Sequence, residues 1–268
     1  MGKEFTKKTL FLTMTITIAL VALFSVVQAI QPNGGSTTVV RTETAPADTA
    51  GNHSAYAGNV TELTINGFAT TQSWQGYFGN VSGAIELSDA SGDVIYNWSL
   101  SSPQGEVYSS TNSTITWTNI QCFNFTANGT GGSGGETAGA TNLKGTNLTV
   151  LENRFNIASD DVDGVNETFN FTQGGDGHDL FYTANLQFSA SECLMTHVYS
   201  PSGSVTNQFE EILLFEPATS SVVFASILEE GTLLGYDNLD HDFEMLVLED
   251  GHGTDVATTT YYFFVELE

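Results

Sequence analysis

Hydrophobic positions recur along the chain as short runs, some alternating with polar residues and some continuous, with Gly, Asn, Asp, Ser or Pro between them. Runs of this length, rich in Val, Ile, Thr, Tyr and Phe, are typical of β-strands. The pattern predicts fourteen strands, at Thr61–Ile65, Trp74–Phe78, Ala84–Leu87, Val94–Trp98, Glu106–Tyr108, Thr114–Thr118, Cys122–Phe125, Leu148–Leu151, Leu180–Phe188, Cys193–Tyr199, Phe209–Phe215, Val222–Ile227, Phe243–Leu248 and Thr259–Leu267.

The clearest local signal is a hairpin. Ala84–Leu87 and Val94–Trp98 flank the turn Asp89-Ala90-Ser91-Gly92-Asp93, whose residues favour chain reversal. One segment, Ser159–Phe169, has helical character, with Ser159 as N-cap and acidic residues in its first turn. Together these elements predict an all-β fold with one short helix, either a β-sandwich or two packed β-lobes.

Two cysteines bear on the choice between one domain and two. Cys122 and Cys193 both lie in strand-like runs, and a secreted chain with two cysteines usually pairs them. Such a disulfide would cross the Gly-rich stretch 127–146, so we expect a single disulfide-pinned domain over 59–268 with 127–146 as a surface loop. Two reduced, buried cysteines are the alternative. Residues 30–58, rich in Gly, Ser and Thr, are expected to form a flexible leader or stalk.

Residues 1–29 have the pattern of a signal peptide. Lys3, Lys7 and Lys8 precede an uncharged stretch over 9–27, and Val27-Gln28-Ala29 fits a cleavage site. An uncleaved membrane anchor is the alternative, since about 20 apolar residues can span a bilayer. Under both interpretations the protein is extracellular or on the cell surface, and any membrane contact is through this segment.

The charge is strongly negative, with 31 Asp and Glu against six Lys and Arg. This excess argues against nucleic-acid binding, which needs Lys and Arg to neutralise phosphates. Without residues 1–29, Arg41, Lys144 and Arg154 remain against 30 acidic residues, and no Lys or Arg follows Arg154. We therefore expect the carboxylates of the C-terminal half to be neutralised by solvent cations, bound metal or a partner.

One acidic turn is a candidate metal site. Asp237, Asn238, Asp240 and Asp242 fall within six residues, and oxygen ligands of this kind suit Ca²⁺. The hypothesis is a structural calcium ion, with no other cofactor required. The alternative is a solvated acidic turn, since the spacing is not that of an EF-hand loop.

Potential N-glycosylation sites are unusually frequent. The pattern Asn-x-Ser/Thr without Pro predicts modification in the first two thirds of the chain. It occurs at Asn52, Asn59, Asn80, Asn97, Asn112, Asn124, Asn128, Asn147, Asn166 and Asn170.

No combination of residues indicates a catalytic centre. Gly131–Gly135 matches a Gly-x-Ser-x-Gly motif, but it lies in a glycine tract without the strand and helix that expose a nucleophilic serine. We therefore predict no catalytic residue and favour a non-enzymatic protein, although carboxylate pairs that meet only in space cannot be found in a sequence.

Three segments resemble a group of uncharacterised secreted archaeal β-rich proteins. They are the run Trp74–Gly83, the turn Asp240–Phe243 and the C-terminal run Thr259–Leu267. The resemblance covers about Asn59 to the C-terminus and implies an archaeal envelope or extracellular setting. It implies no activity and no site residue.

The leading hypothesis is a secreted or surface-tethered acidic glycoprotein that acts as an envelope or adhesion component. Its partners would be cell-envelope components, polysaccharide or copies of itself. A polysaccharide-binding or polysaccharide-active protein is the second hypothesis. The third is a subunit of an extracellular filament assembled by strand donation from residues 36–44, which are β-prone and unlikely to fold alone.

Overall fold

The computed structural model of the chain describes residues 31–100, 103–125, 148–170, 177–204, 207–229, 231–253 and 255–268. The signal-peptide segment 1–29, the Gly-rich stretch 127–146 and the Gly131–Gly135 motif lie outside these residues. Gln31–Glu268 forms one compact unit. Within the described ranges, no helix combines the length and the apolar character that a bilayer crossing requires.

Thirteen strands and two short α-helices are present in the described ranges. The strands are β1 (Asn33–Gly34), β2 (Trp74–Gly79), β3 (Ala84–Ser88), β4 (Val94–Ser99), β5 (Gly105–Ser110), β6 (Gln121–Cys122), β7 (Phe181–Thr183), β8 (Leu186–Phe188), β9 (Met195–His197), β10 (Glu210–Glu216), β11 (Ser221–Ile227), β12 (Phe243–Leu248) and β13 (Tyr262–Leu267). The helices are α1 (Leu148–Arg154) and α2 (Val165–Thr168), and Trp117–Asn119 forms a 3₁₀ turn.

Seven strands form a central antiparallel sheet in the order β1-β13-β5-β11-β10-β6, with β9 also paired to β10. Three two-stranded units, β2–β12, β3–β4 and β7–β8, complete the described strands. The all-β prediction is therefore confirmed.

The central sheet is covered on both faces. On one face Val107, Leu213 and Phe224 share a core with Met245 and Val247 of the β2–β12 pair and with residues of the helical region. On the other face Tyr108, Ile212 and Leu214 share a core with Phe181 and Phe188 of the β7–β8 hairpin. Because both faces are buried, all seven residues of β10 are buried, its glutamates included.

The predicted disulfide is confirmed. Cys122 in β6 is bonded to Cys193, just before β9, across a sequence separation of 71 residues. Both β6 and β9 pair with β10. The bond therefore ties together two segments that reach the same strand from distant parts of the chain.

Several buried glutamates accept hydrogen bonds from the backbone. Backbone N–H groups donate to them: Asp179 to Glu210 at 2.7 Å, and Ala184 to Glu266 at 3.0 Å. Glu216 accepts from two amides of its own turn. A backbone amide supplies a hydrogen bond but no charge, so the expectation that cations or a partner compensate the acidic half stays a prediction.

Five predicted elements take another form. Leu180–Phe188, predicted as one strand, is the β7–β8 hairpin. Thr61–Ile65 is exposed and belongs to no strand, Leu148–Leu151 lies in α1, and Thr114–Thr118 overlaps the 3₁₀ turn. The predicted helix Ser159–Phe169 shrinks to α2, with Gly164 rather than Ser159 at the N-cap. A short apolar run fits a strand or a helix equally well, so the surrounding contacts decide its form.

Candidate functional site

A long stretch after β1 runs over the surface without secondary structure. We call residues 36–71 the extended segment; every one of them is exposed. Before it, the Gly35 N–H donates to the Phe263 carbonyl at 2.9 Å, and at its end the Thr71 hydroxyl donates to the Asp163 carboxylate. Among the described residues its backbone makes one backbone–backbone hydrogen bond, from Asn59 to Tyr56. Its amides and carbonyls are therefore almost all available to another strand.

The extended segment is also rich in exposed apolar side chains. Seven large ones are at least 58% exposed: Val39, Val40, Tyr56, Val60, Leu63, Ile65 and Phe68. Scattered exposed apolar residues are normal, but seven in one unpaired stretch make it a candidate interaction surface.

Arg41 anchors the extended segment to the folded body. Its guanidinium donates to Asp237 Oδ2 at 2.7 Å and lies 5.3 Å from the centre of the Phe78 ring. Among the described residues between 36 and 70, it is the single point at which the segment makes a hydrogen bond, ion pair or ring contact with the body. The hydrogen bond to Asp237 raises the pKa of Arg41, so the guanidinium stays charged.

The anchor site, formed by Phe78, Tyr236, Asp237 and His241, has a defined shape. The Phe78 ring in β2 packs against Tyr236 at 5.0 Å and against His241 at 4.9 Å between ring centres. His241 Nε2 lies 2.9 Å from Asp237 Oδ1, which also accepts from the Leu239 N–H at 3.0 Å. Burial alone would raise the pKa of Asp237, but these hydrogen bonds and Arg41 lower it. Asp237 is thus an ionised carboxylate held in place for a cation.

Local sequence explains why the turn has this form. The Gly235 N–H donates to the Leu239 carbonyl and the Asn238 N–H to the Gly235 carbonyl, which closes the chain reversal. Asn238 has a φ of 63°, a conformation that Asn tolerates better than most residues. A side chain at Gly235 would overlap the carboxylate of Glu244 and the ring of His241.

Glu244 lies beneath the same turn. It is 2% exposed, accepts from the Tyr236 N–H at 2.8 Å, and has a second oxygen without a hydrogen-bond partner among the described residues. Burial, opposed by that hydrogen bond and reinforced by the charge of Asp237, raises its pKa to about 7. The sequence pattern does not single out Glu244, because a strand glutamate carries no signal that a distant turn will cover it.

The predicted calcium ligands have different partners in the structure. Asp237 faces Arg41, whereas Asp242 accepts from the Val81 N–H at 2.6 Å. Asn238 occupies the turn, and Asp240 is exposed. No group of three or more His, Cys, Asp or Glu suited to a metal ion occurs in the described part of the chain. The calcium site stays a prediction.

The β3–β4 hairpin, confirmed as predicted, is a second exposed apolar element. Its register places Ile85 opposite Trp98 and Leu87 opposite Tyr96, on one face. Leu87, Tyr96 and Trp98 are 50–60% exposed. A two-stranded hairpin is marginally stable on its own, so an uncovered apolar face is unusual for it.

The tryptophans differ in their surroundings. Trp117 is buried, Trp74 is half-buried, and Trp98 is exposed beside Tyr96, with ring centres 4.9 Å apart and planes at 61°. Rings at that angle do not form one flat platform. The three tryptophans, whose rings could stack on sugars, are thus split between core and surface.

The glycosylation sites also differ in access. The described sequons at Asn52, Asn59, Asn80, Asn97, Asn166 and Asn170 are exposed, whereas Asn112 and Asn124 are half-buried. Asn128 and Asn147 lie outside the described residues. The Asn112 side-chain amide donates to the Ser221 hydroxyl at 3.0 Å, so this nitrogen is already engaged.

Carboxylates with raised pKa values occur in the interior rather than around a cleft. Burial and the charge of Glu266 raise the pKa of Glu106 well above its usual value, and Tyr108 donates towards both carboxyls. A cavity of about 250 Å³ opens beside α1, and no Asp or Glu is among its described lining residues. The perturbed glutamates and this cavity therefore form no common site.

No protein-family model, curated protein or solved structure matches the chain. The resemblance to secreted archaeal proteins stays a prediction.

Proposed function

We propose that the protein is a non-enzymatic extracellular structural subunit that associates with copies of itself at the cell surface, as an envelope or adhesion component. The observation that carries the proposal is the extended segment, whose backbone and apolar side chains have almost no partner within the described part of the chain. If the segment were donated as a strand to a second copy, its backbone and its apolar side chains would both find partners there. This joins the first and third hypotheses from the sequence, with the donor region extended beyond residues 36–44.

The first support for this role is the unpaired backbone of the extended segment. Strand addition supplies main-chain hydrogen bonds for affinity, and alternate side chains then enter pockets on the acceptor. Leu63 and Ile65 lie two residues apart, so in an extended strand they point to the same side. The absence of a strand at Thr61–Ile65 is then expected of one copy alone, because a strand needs a neighbour.

The second support for self-association is the distribution of charge along the chain. Residues 31–72 carry three acidic residues and one Arg, whereas residues 73–268 carry 27 acidic residues and two basic ones. Two bodies of such charge repel each other at low ionic strength, but the nearly neutral extended segment can approach. We therefore expect association to increase with salt.

The test is the size of the protein as its host cell secretes it. Sedimentation velocity over a range of protein and NaCl concentrations should show polymers that grow with both. The double variant Leu63→Asp, Ile65→Asp should reduce the polymer fraction at least tenfold. Val162→Asp is the matched control, since Val162 is 91% exposed but lies outside the extended segment. Wild-type protein that stays monomeric at every concentration would refute the proposal.

Polysaccharide binding is the second candidate, favoured by the exposed pair Tyr96 and Trp98. Exposed aromatic rings bury large areas against a ligand at a low cost in conformational entropy. Retention of the protein on insoluble polysaccharides should fall with Trp98→Ala but not with Trp117→Phe, which changes a buried ring. Equal retention of all three proteins would exclude this surface.

A further inference from the structure

We propose that the anchor site is a receptor for the Arg41 of a second copy, so that neighbouring subunits exchange their extended segments. The inference rests on the proposed self-association and names the contact that directs it. One copy's Arg41 would leave its own Asp237 and occupy the same site on its neighbour.

The site has the chemistry of a guanidinium receptor. Asp237 binds the guanidinium through Oδ2, while its other oxygen accepts from Leu239 and contacts His241. Phe78 supplies an aromatic face, which attracts a cation, and a guanidinium can donate hydrogen bonds and stack at the same time. Charge-assisted hydrogen bonds of this kind are about twice as strong as neutral ones.

The way the extended segment is attached permits exchange. Between residues 36 and 70, only Arg41 makes a hydrogen bond, ion pair or ring contact with the body among the described residues, so the polar attachment to be released is a single one. Gly35, six residues before Arg41, remains bonded to β13. Six extended residues reach about 20 Å, so Arg41 can reach a directly adjacent copy and no farther.

Exchange creates the same contact between copies that exists within one. The energy of the Arg41–Asp237 contact is therefore unchanged by exchange, and protein concentration decides which form dominates. Dilution favours the contact within a chain, and a high concentration at a cell surface favours the contact between chains. Donor and acceptor are different surfaces, so each copy gives one Arg41 and receives another. Such a head-to-tail contact continues into an open chain unless the rotation closes a ring.

The composition of the chain points to a second copy as the occupant. Arg41 is the one Lys or Arg in residues 31–143. It lies in the nearly neutral extended segment, whereas the receptor lies on the strongly acidic body. A guanidinium carried on that segment complements the site, and every copy brings one.

The test uses two variants that each lack one half of the contact. Arg41→Gln keeps the receptor but has no guanidinium to donate, and Asp237→Asn keeps the donor but has no charged receptor. Both variants should fold. In Asp237→Asn the side-chain amide oxygen can still accept from the Leu239 N–H, and in Arg41→Gln the changed side chain is one that is 41% exposed. Circular dichroism checks the fold of each. Arg41→Lys serves as a control that keeps the charge without the planar guanidinium, and it should polymerise less than wild type.

Each variant alone should be monomeric at concentrations where wild type polymerises. A 1:1 mixture should form heterodimers that grow no further, because one copy supplies the only donor and the other the only receptor. Variants that polymerise like wild type, or a mixture that remains monomeric, would overturn the exchange and leave self-association standing. A monomeric wild type would instead refute the proposed function itself.

Discussion

The carboxylate of Glu211 accepts a hydrogen bond from the backbone N–H of Leu246 at 2.8 Å, across the gap between the central sheet and β12. Its cross-strand neighbour Ser226 donates to the carbonyl of Glu244 at 3.0 Å. Two side chains of the central sheet thus satisfy two of the backbone polar groups on the edge of β12 that faces away from β2. Burial raises the pKa of Glu211 well above its usual value, and the Leu246 hydrogen bond opposes that shift.

Stability should therefore fall as pH rises. Burial raises the pKa values of Glu210, Glu244 and Glu266 to about 7, so the folded state holds protons that the unfolded chain releases near pH 4.5. The contribution of these protonated glutamates to the free energy of unfolding is complete below pH 4.5 and is lost as pH rises through 7. The loss is no more than about 3 kcal/mol for each group, and it is smaller where solvent screens the carboxylate. Tm should decrease steadily from pH 5 to pH 8.

The matched comparison for this effect is Glu211→Gln against Glu86→Gln. The Glu211→Gln side chain keeps an acceptor for Leu246 but cannot ionise, so the Tm of this variant should depend less on pH. Glu86 is exposed, so Glu86→Gln should keep the wild-type slope. A wild-type Tm that rises from pH 5 to pH 8 would contradict the assignment.

Gly235→Ala should destabilise the anchor site. The added methyl group would overlap the Glu244 carboxylate and the His241 ring, and overpacking of this kind costs about 1–3 kcal/mol. Gly76→Ala is the control, since nothing lies within 4 Å of its Cβ position. Urea unfolding should show the loss for Gly235→Ala alone; equal stability of the two variants would show that the turn can shift.

Removal of the disulfide should weaken the whole domain. The bond closes a loop of about 70 residues, for which the chain-entropy model gives about 4 kcal/mol. Cys122→Ser with Cys193→Ser should lower the free energy of unfolding by about 2–4 kcal/mol, measured in urea. A change below about 1 kcal/mol would show that strand pairing alone holds β6 and β9 on β10.

The predicted calcium site can be separated from charge screening. Screening alone makes NaCl and CaCl₂ equivalent at matched ionic strength, whereas a bound ion adds about 2.7 kcal/mol at a hundredfold excess over Kd. Tm should rise further with Ca²⁺, and Asp240→Asn with Asp242→Asn should remove only that excess. Identical melting curves in both salts would leave these residues as a solvated turn.

Glycosylation should follow access to the side-chain nitrogen. Glycopeptide mapping of the native protein should find sugar at Asn59, Asn80 and Asn97, which are exposed, and none at Asn112, whose amide donates to Ser221. Sugar found at Asn112 would show that the hydrogen bond to Ser221 is not yet formed when the glycan is transferred. An intact mass equal to the bare polypeptide would remove the glycoprotein hypothesis.

Several features followed from local sequence because their causes are local. The turn Asp89–Asp93 predicted the β3–β4 hairpin, since its backbone and side-chain hydrogen bonds lie within five residues. Long β-prone runs such as Phe243–Leu248 also became strands. The cysteine pair was predictable because a chain with two cysteines has one possible intrachain bond.

The anchor site was predictable only in part. The acidic turn 237–242 stood out by composition, and its carboxylates suggested a metal. Its observed partner, Arg41, lies 196 residues away from Asp237 and offers no pattern that links the two. The pairing of β2 with β12 brings Phe78 into the site and places Glu244, which lies beneath it, opposite Phe78.

The residue pattern alone was enough to predict that the chain is rich in β-structure, that Cys122 and Cys193 pair, and that the charge is strongly negative. Tertiary contacts set where the carboxylates find partners and whether a β-prone run becomes a strand. Thr61–Ile65 has the composition of a strand but no neighbouring strand among the described residues, and the carboxylate of Glu211 meets the amide of Leu246. Both outcomes depend on contacts between residues far apart in sequence, because a strand and a buried charge are each stabilised by a partner that local pattern does not specify.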